Sequence, residues 1–592
     1  MKMQKKTGNK EYIGWVFFPV LFFASLFLTL NLHRNNGYFN WKSEIWADRA
    51  GYYIYLPSLF MYQFEAKECP EKIDEKTGYG FILDYQKNTI NTKYTYGVAL
   101  LLSPFFVASH FISLILQKPG DAGFGPVYHK MVNVAAVVYL ILGLWILKRF
   151  LKYYFDSSIQ YLILFFIYAG TNLLFYTVDD TLMSHVYSFF LFAVFLLTMK
   201  KFLDQPGRLI FFTAMCLAFA LIILIRPSNI LIILILIFWD LKKSGEIKER
   251  LLLLVTPKRI LIFFLILLIV FLPQLIYWKY SRGSFFVYSY GNEGFTNWKN
   301  PRLLEVWFST LNGLFLYTPM VVIFLAGMTI MIIKKMPNGI LMLFLFLAVS
   351  YICASWYNWY FGCSFGQRSF VEYFAIFSIP FGYFIRDSLR VRNLLLKSMA
   401  ILLIILFSYY NVRMILKFDK CFFGSTWDWP QFTRQLERAN IFSAYNRPYT
   451  FQNDFENQAL SYLYTISDSS HLSGMYSAKV DPDKEFIPFH SIPMSDLPPK
   501  LPRYINVEFW LFDPGMEVNE AQVVCSIDKN DSSLVWQSQP LAPIVKKNVN
   551  WQKITNRFIL PDGLTREPVI KIYLWNQKRS SFFVDDLKIM LD

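Results

Sequence analysis

Residues 12–32, YIGWVFFPVLFFASLFLTLNL, decide the fold. The run carries no charged side chain and reaches the length of roughly 20 apolar residues that crosses a bilayer. It follows Lys2, Lys5, Lys6 and Lys10 and is long for a cleaved signal, so it reads as a retained signal anchor. Working outward, further apolar runs lie near 97–116, 129–147, 158–177, 182–199, 209–225, 227–239, 259–280, 317–333, 338–355, 370–385 and 396–416. Backbone polar groups in lipid must be satisfied within their own segment, so each run is expected to be a helix. Across 592 residues the chain is 55% hydrophobic, 19% aromatic and 17% charged. That balance excludes an ordinary soluble enzyme and predicts a polytopic helical membrane protein.

The net charge of +16 does not point to nucleic acid. From Ala439 onward there are 15 Lys and Arg against 18 Asp and Glu, so the whole excess lies in the membrane part. Its clusters are Lys148, Arg149 and Lys152; Lys200, Lys201 and Arg208; Lys242 to Arg259; Lys334 and Lys335; and Arg386 to Lys397. The positive-inside rule places all five on the cytoplasmic side if 97–116 runs along or dips into the outer interface. About eleven spans follow (twelve if 97–116 crosses), with the N-terminus inside and the C-terminus outside.

The character changes near residue 440. Alternating apolar positions in Tyr504–Phe512, Ile570–Trp575 and Phe583–Leu591, separated by turn residues, predict an antiparallel β sandwich. The expected division is 1–420 as the membrane domain, with a first external loop at 33–96; 421–447 as a linker; and 448–592 as an external sandwich. Six scattered cysteines show no metal-ligand spacing. A Cys69–Cys421 disulfide requires that both face outward.

Several polar residues fall at the ends of apolar runs on the expected outer side. Asp48, in Trp46-Ala-Asp-Arg-Ala-Gly-Tyr-Tyr53, precedes an aromatic stripe of Tyr52, Tyr53, Leu56, Leu59 and Phe60 at helical spacing. Such a helix lying in the interface holds an acid near the headgroups, as a helix cap or as a general base. Asp179-Asp180 offers a divalent-cation site, an acceptor clamp or an N-cap. His185, one turn later, is a candidate phosphate or sugar contact. Arg368, in Trp356-Tyr-Asn-Trp359-Tyr-Phe-Gly362-Cys-Ser-Phe-Gly366-Gln-Arg368, opens a span from the outside and needs an anionic partner. A lipid phosphate and Glu372, one turn on, both qualify. Arg226 and Lys93 raise the same question, with snorkelling as the plain reading of Lys93.

Taken in order, Asp48, Lys93-Tyr94, Ser103-Pro104-Phe105-Phe106, Asp179-Asp180, Arg226-Pro227 and Trp359-x-x-Gly362-x-Ser364-x-Gly366-x-Arg368 resemble the GT-C class of polytopic glycosyltransferases. The similarity is to the protein mannosyltransferases that use dolichyl-phosphate mannose and to the aminoarabinose transferases, over roughly residues 10–390. The resemblance implies a polyprenyl-phosphate sugar donor, inversion by single displacement, Asp48 as base with Asp179 and Asp180 assisting, and Arg368, Lys93, Arg226 and His185 at the donor phosphate. Trp356, Trp359, Tyr52 and Tyr53 would contact sugar or acceptor, which is an external glycan, lipid or protein. It further implies the bilayer as partner, no nucleic acid, and a bacterial inner membrane with the C-terminal domain in the periplasm. A single acid where protein mannosyltransferases have an adjacent pair leaves a divalent cation at the site open.

The C-terminal part resembles carbohydrate-binding jelly rolls at Asn453-Asp-Phe-Glu456, His471-Leu-Ser-Gly474 and Phe583-Val-Asp-Asp-Leu587. That similarity implies a structural Ca²⁺ at Asp454, Glu456 and Asp586. Trp510, Tyr573 and Trp575 either stack on a glycan or pack in the core. The alternatives are a polysaccharide polymerase or ligase, which usually depends on basic residues in a large external loop and which the placement of the main acids near the membrane disfavours, and a lipid or sugar transporter. No repeated halves with broken helices mark a transporter.

Overall fold

The computed structural model describes residues 8–591 apart from 35, 117–120, 242, 244, 292, 419–428, 440, 442–448, 457–464, 498–500, 516–520, 530–531, 546–549, 562 and 566. Of the expected linker, 421–428, 440 and 442–447 lie outside the described residues, and a helix, Trp429–Arg438, occupies its middle. The chain forms two compact units, 1–361 with 365–415, and 362–364 with 416–592.

The first unit is helical, and the chain is a polytopic helical membrane protein with a C-terminal β domain. Among the described residues, six helices are long and apolar enough to cross a membrane: Gly14–Leu32, Gly97–Ile115, Pro126–Leu151, Ser184–Asp204, Pro257–Arg282 and Leu394–Leu416. Shorter apolar helices include Ser157–Gly170, Leu209–Ile225, Met320–Ile333 and Gly339–Ser355. Helix Pro257–Arg282 leaves Leu261, Phe264 and Leu268 uncovered on its surface, the sign of an apolar surround rather than water. Residues 97–115, for which the sequence leaves open an interfacial course or a crossing, form one continuous 19-residue helix of crossing length. The run at 158–177 is broken. One helix ends at Gly170 and another begins at Leu173, and Asn411 donates to the carbonyls of Ala169 and Thr171 that the break leaves free.

The 33–96 loop is built on a hairpin, β1 (Phe81–Asp84) and β2 (Thr89–Thr92), paired antiparallel. The backbone crosses closely behind Asp48. A Cβ on Gly80 would stand 1.8 Å from the Ala47 carbonyl oxygen, and one on Gly51 would stand 2.3 Å from that of Gly80. Both positions therefore require glycine. The stripe after Asp48 is helical as expected, but it is not an interfacial helix. Tyr52, Tyr53, Ile54, Tyr55 and Leu56 are buried in protein, and only Leu59 and Phe60 face outward. A buried helix face and a lipid-facing one have the same period, so spacing alone does not separate them.

The second unit is a β sandwich of strands β3 (Tyr449–Asn453), β4 (Thr465–Ser467), β5 (Ser477–Val480), β6 (Phe486–Pro493), β7 (Tyr504–Phe512), β8 (Ala521–Lys529), β9 (Ser532–Pro540), β10 (Gln552–Ile559), β11 (Val569–Asn576) and β12 (Phe582–Leu591). One sheet runs β10-β7-β12-β5-β4, with β3 also on β12; the other runs β6-β11-β8-β9. Their inner faces share one core, in which the Phe489 and Phe509 rings meet edge to face at 5.3 Å.

Cys69 is a free, buried thiol, so the Cys69–Cys421 bridge that the sequence allows but does not favour is not formed, and burial pushes the thiol up to about 12. Cys363 is disulfide-bonded. Cys421 lies outside the described residues.

Candidate active site

Asp48 is the first residue of a short helix, Asp48–Tyr53, whose N-cap is Ala47 with no side-chain cap. The capping role is therefore absent. Ala47 has φ 48° and ψ −128°, a costly conformation for a residue with a Cβ. Its N–H donates to the Thr77 carbonyl at 2.8 Å, and its carbonyl accepts from Gly51 at 3.2 Å. These bonds hold the strained residue and aim the next side chain.

That side chain meets two cations. Arg368 Nη2 lies 3.4 Å from Asp48 Oδ2, and Lys93 Nζ lies 4.0 Å from Oδ1. The three residues come from the short helix Asp48–Tyr53, the end of β2 and the 3₁₀ turn Arg368–Phe370. Asp48 is 37% exposed and Arg368 18%, so the pair sits in a depression rather than on a ridge. Burial opposes ionisation of Asp48, and Arg368 and then Lys93 outweigh it, holding the carboxyl below its usual range. Lys93 is also bound to Glu293, at 2.8 and 3.2 Å. Its nitrogen is thus a partly exposed ion-pair partner, not a snorkelling group.

Aromatic rings wall this depression. Tyr52 packs on Tyr94 with centroids 4.1 Å apart, Tyr94 meets Tyr290, and Tyr290 meets Trp356 edge to face at 5.9 Å. Trp359 is half-buried, and its carbonyl accepts from Gln367 at 3.2 Å, which ties it to the turn carrying Arg368. Tyr53 is not at the site: it is 2% exposed and its hydroxyl donates to the Gly123 carbonyl.

The remaining expected residues form the support. Arg49, beside Asp48, pairs with Asp180 at 3.0 Å, both largely buried. Asp179 is the C-cap of the helix Leu173–Val178 and lies 3.8 Å from His33. His33 Nδ1 in turn lies 3.2 Å from Glu44 Oε1, and His129 Nδ1 lies 2.9 Å from Glu44 Oε2. Burial opposes ionisation of Glu44, but hydrogen bonds from His129 and His33 prevail and hold it well below the carboxylate range. His185, fully buried, donates from Nδ1 to Glu372 at 3.0 Å and so takes no place on an open surface. Glu372 is the partner of Arg226 (3.7 Å) and Asn229 (3.0 Å), not of Arg368. Arg226 also donates to Ser369 at 2.8 Å.

The residues around Asp48 do not fit a divalent cation. Its nearest charged neighbours are themselves cations, and Asp180 is taken by Arg49. Among the described residues no three His, Cys, Asp or Glu side chains gather as metal ligands. In the sandwich, Glu456 Oε1 accepts the N–H groups of Met475 and Tyr476, both at 2.8 Å. Asp454 accepts from the Glu456 N–H at 3.2 Å, and Asp586 accepts from Ser473 Oγ at 2.9 Å. Protein donors thus engage one oxygen of each of these three carboxylates, while Ca²⁺ prefers six to eight oxygen ligands.

The outer face of the four-stranded sheet carries a second candidate surface. Phe486 stacks on Trp575 with an interplanar angle of 12°, and Trp536 donates from Nε1 to the Tyr573 hydroxyl at 3.2 Å. Beside them is a cavity of about 500 Å³ lined by Phe486, Ser526, Asp528, Trp536, Lys571 and Tyr573. Trp510 is on β7, in the other sheet.

Glu293, Tyr290 and Glu44 were missed from the sequence, and Glu372 was read as a partner of Arg368 rather than of Arg226 and His185. Glu293 carried one signal, a lone acid in the 283–302 loop, which is otherwise rich in aromatics. Glu44 carried none beyond its distance of four residues from Asp48.

No family model matches the sequence, and no curated protein matches it. Among solved structures, the chain is similar to the Archaeoglobus fulgidus oligosaccharyltransferase in its apo form, with a TM-score of 0.42, 12% identity, and coverage of 69% of this chain and 56% of that one. The same enzyme, tethered by a disulfide to an acceptor peptide containing the NVT sequon, gives a TM-score of 0.40, 11% identity, and coverage of 69% and 55%. The chain thus spans little more than half the length of these structures, at a TM-score below one half, and the roles of its residues rest on their own geometry.

Proposed function

We propose that this protein is an integral membrane glycosyltransferase that moves a sugar from a polyprenyl-phosphate carrier to an external glycan, lipid or protein acceptor. The observation that carries the reading is an accessible carboxylate, Asp48, held between Arg368 and Lys93 in an aromatic-walled depression beside the ends of apolar helices. Asp48 takes the proton of the acceptor hydroxyl, whose oxygen attacks the anomeric carbon. The bond from that carbon to the phosphate oxygen breaks, and polyprenyl phosphate departs with the electron pair. Arg368 and Lys93 offset the charge that develops on it. Aromatic rings suit the apolar faces of a sugar. The charge clusters support an orientation with this site and the sandwich on the outer, periplasmic side of a bacterial inner membrane. On the sandwich, the rings of Phe486, Trp536, Tyr573 and Trp575 beside the Lys571–Asp528 pair suit a glycan, whose hydroxyls bind the charged groups while its ring faces stack.

The test is deletion of the gene in its host, complemented by wild type or Asp48→Asn, with masses of surface glycolipids and glycoproteins as the readout. Loss of one defined sugar, restored by wild type alone, supports the reading. Full restoration by Asp48→Asn at equal protein level sinks Asp48 as the base.

A further inference from the structure

Asp48 does not stand as a free base. Two cations and two carboxylates form one chain: Arg368 to Asp48 at 3.4 Å, Asp48 to Lys93 at 4.0 Å, and Lys93 to Glu293 at 2.8 Å. Their formal charges cancel. The groups that face Asp48 from each packed element are Tyr52 on its own helix, Lys93 and Tyr94 after β2, Tyr290 and Glu293 in the 283–302 loop, Tyr357 and Arg368 in the 356–368 loop, and more remotely Arg226. Of the cations, Arg226 is already held by Glu372.

An incoming phosphate brings negative charge into a neutral cluster. The cations it can recruit are the two that hold the carboxylates. Lys93 and Arg368 cannot serve the phosphate and both acids at full strength, because each has one charge and a fixed anchoring backbone.

We propose that the donor's phosphate exchanges partners with the two carboxylates: it takes Lys93 from Glu293 and draws Arg368 off Asp48, so that Asp48 becomes a free base only when donor is bound. This rests on the reading of a phosphate-linked donor. Glu293 is then a positioning residue. It keeps Lys93 parked beside Asp48 before the donor arrives and receives it again when polyprenyl phosphate leaves. The same two cations hold the Asp48 carboxyl below its usual range, so their capture raises its basicity at the moment a proton must be accepted.

The experiment measures binding of undecaprenyl phosphate to the full chain in nanodiscs, for wild type, Glu293→Gln, Lys93→Gln and the double variant. Removing the competing carboxylate is expected to tighten binding about fivefold, the scale of one partly exposed ion pair. In the Lys93→Gln background Glu293→Gln is expected to change nothing, since the competition has lost its object. Asp48→Asn, which frees Arg368, is expected to tighten binding as well. Wild-type binding with Glu293→Gln equal or weaker overturns the exchange and leaves the donor reading standing. Failure of every form to bind removes the phosphate-linked donor itself and the exchange with it.

Discussion

Arg49 and Asp180 form an ion pair at 3.0 Å with side chains about nine-tenths buried, and Arg49 is the residue that follows Asp48. The acid at the end of one helical segment thus fixes the backbone that carries the candidate base. Arg49 also donates to the carbonyls of Trp41 and Trp46, so one guanidinium gathers the 41–49 loop.

Removing one member of that pair strands the other. Asp180→Ala is expected to destabilise the membrane unit by about 3–5 kcal/mol, seen as a lowered melting temperature in detergent. The paired change Arg49→Met with Asp180→Leu is expected to recover part of that stability without recovering activity. Equal melting of Asp180→Ala and wild type would show that Arg49 finds another partner.

The acid side of the stability profile follows from Asp48 and Glu44. Both carboxyls are depressed in the folded chain, so both bind protons less readily there than when unfolded. Their contribution is complete above the unfolded values of about 3.9 and 4.3 and is lost as pH falls through the lower folded ones. Melting is therefore expected to be insensitive to these groups from about pH 5 to 8 and to fall below about pH 4. Glu44→Gln should lower the plateau and flatten the acid fall. A wild-type gain in stability as pH falls from neutral toward 5, absent in Glu44→Gln, would show a Glu44 raised rather than lowered.

On the sandwich, Phe486 is 56% and Trp536 49% exposed, so truncating them leaves the core intact. Phe486→Ala and Trp536→Ala are each expected to weaken glycan binding by about 1 kcal/mol or more in titrations of the full chain, with melting unchanged. Unchanged affinity in both would move glycan contact off this face.

Chelation tests the sandwich carboxylates. Because Glu456 and Asp586 are tied by the 473–476 segment, the domain's melting is expected to be the same in EDTA and in added calcium. A rise with calcium, lost in Glu456→Gln, would show that the cation displaces those donors.

Much of this was legible in the chain. Helices fall on the apolar runs, and β7, β11 and β12 fall on the alternating segments, because burial period is a local property. Asp48, Lys93 and Arg368 stood out as charges at membrane boundaries, and they do meet. The partner assignments did not stand out. Arg368 and Asp48 are 320 residues apart, and Lys93 and Glu293 are 200 apart, so no local spacing links them. The nearby Glu372 was the plausible partner for Arg368, yet the 3₁₀ turn between them sends it to Arg226.

The close crossing behind Asp48 sets what can be moved to another scaffold. Its aim depends on a strained Ala47, on Gly80 and Gly51 pressing backbone to backbone, and on a Thr92 hydroxyl that donates to the Gly51 carbonyl at 3.0 Å. The smallest portable piece is therefore three segments, 44–53, 77–81 and 92–94, with Arg368 supplied from a fourth. A chimera that swaps the hairpin without the turn would inherit the acid and lose its direction.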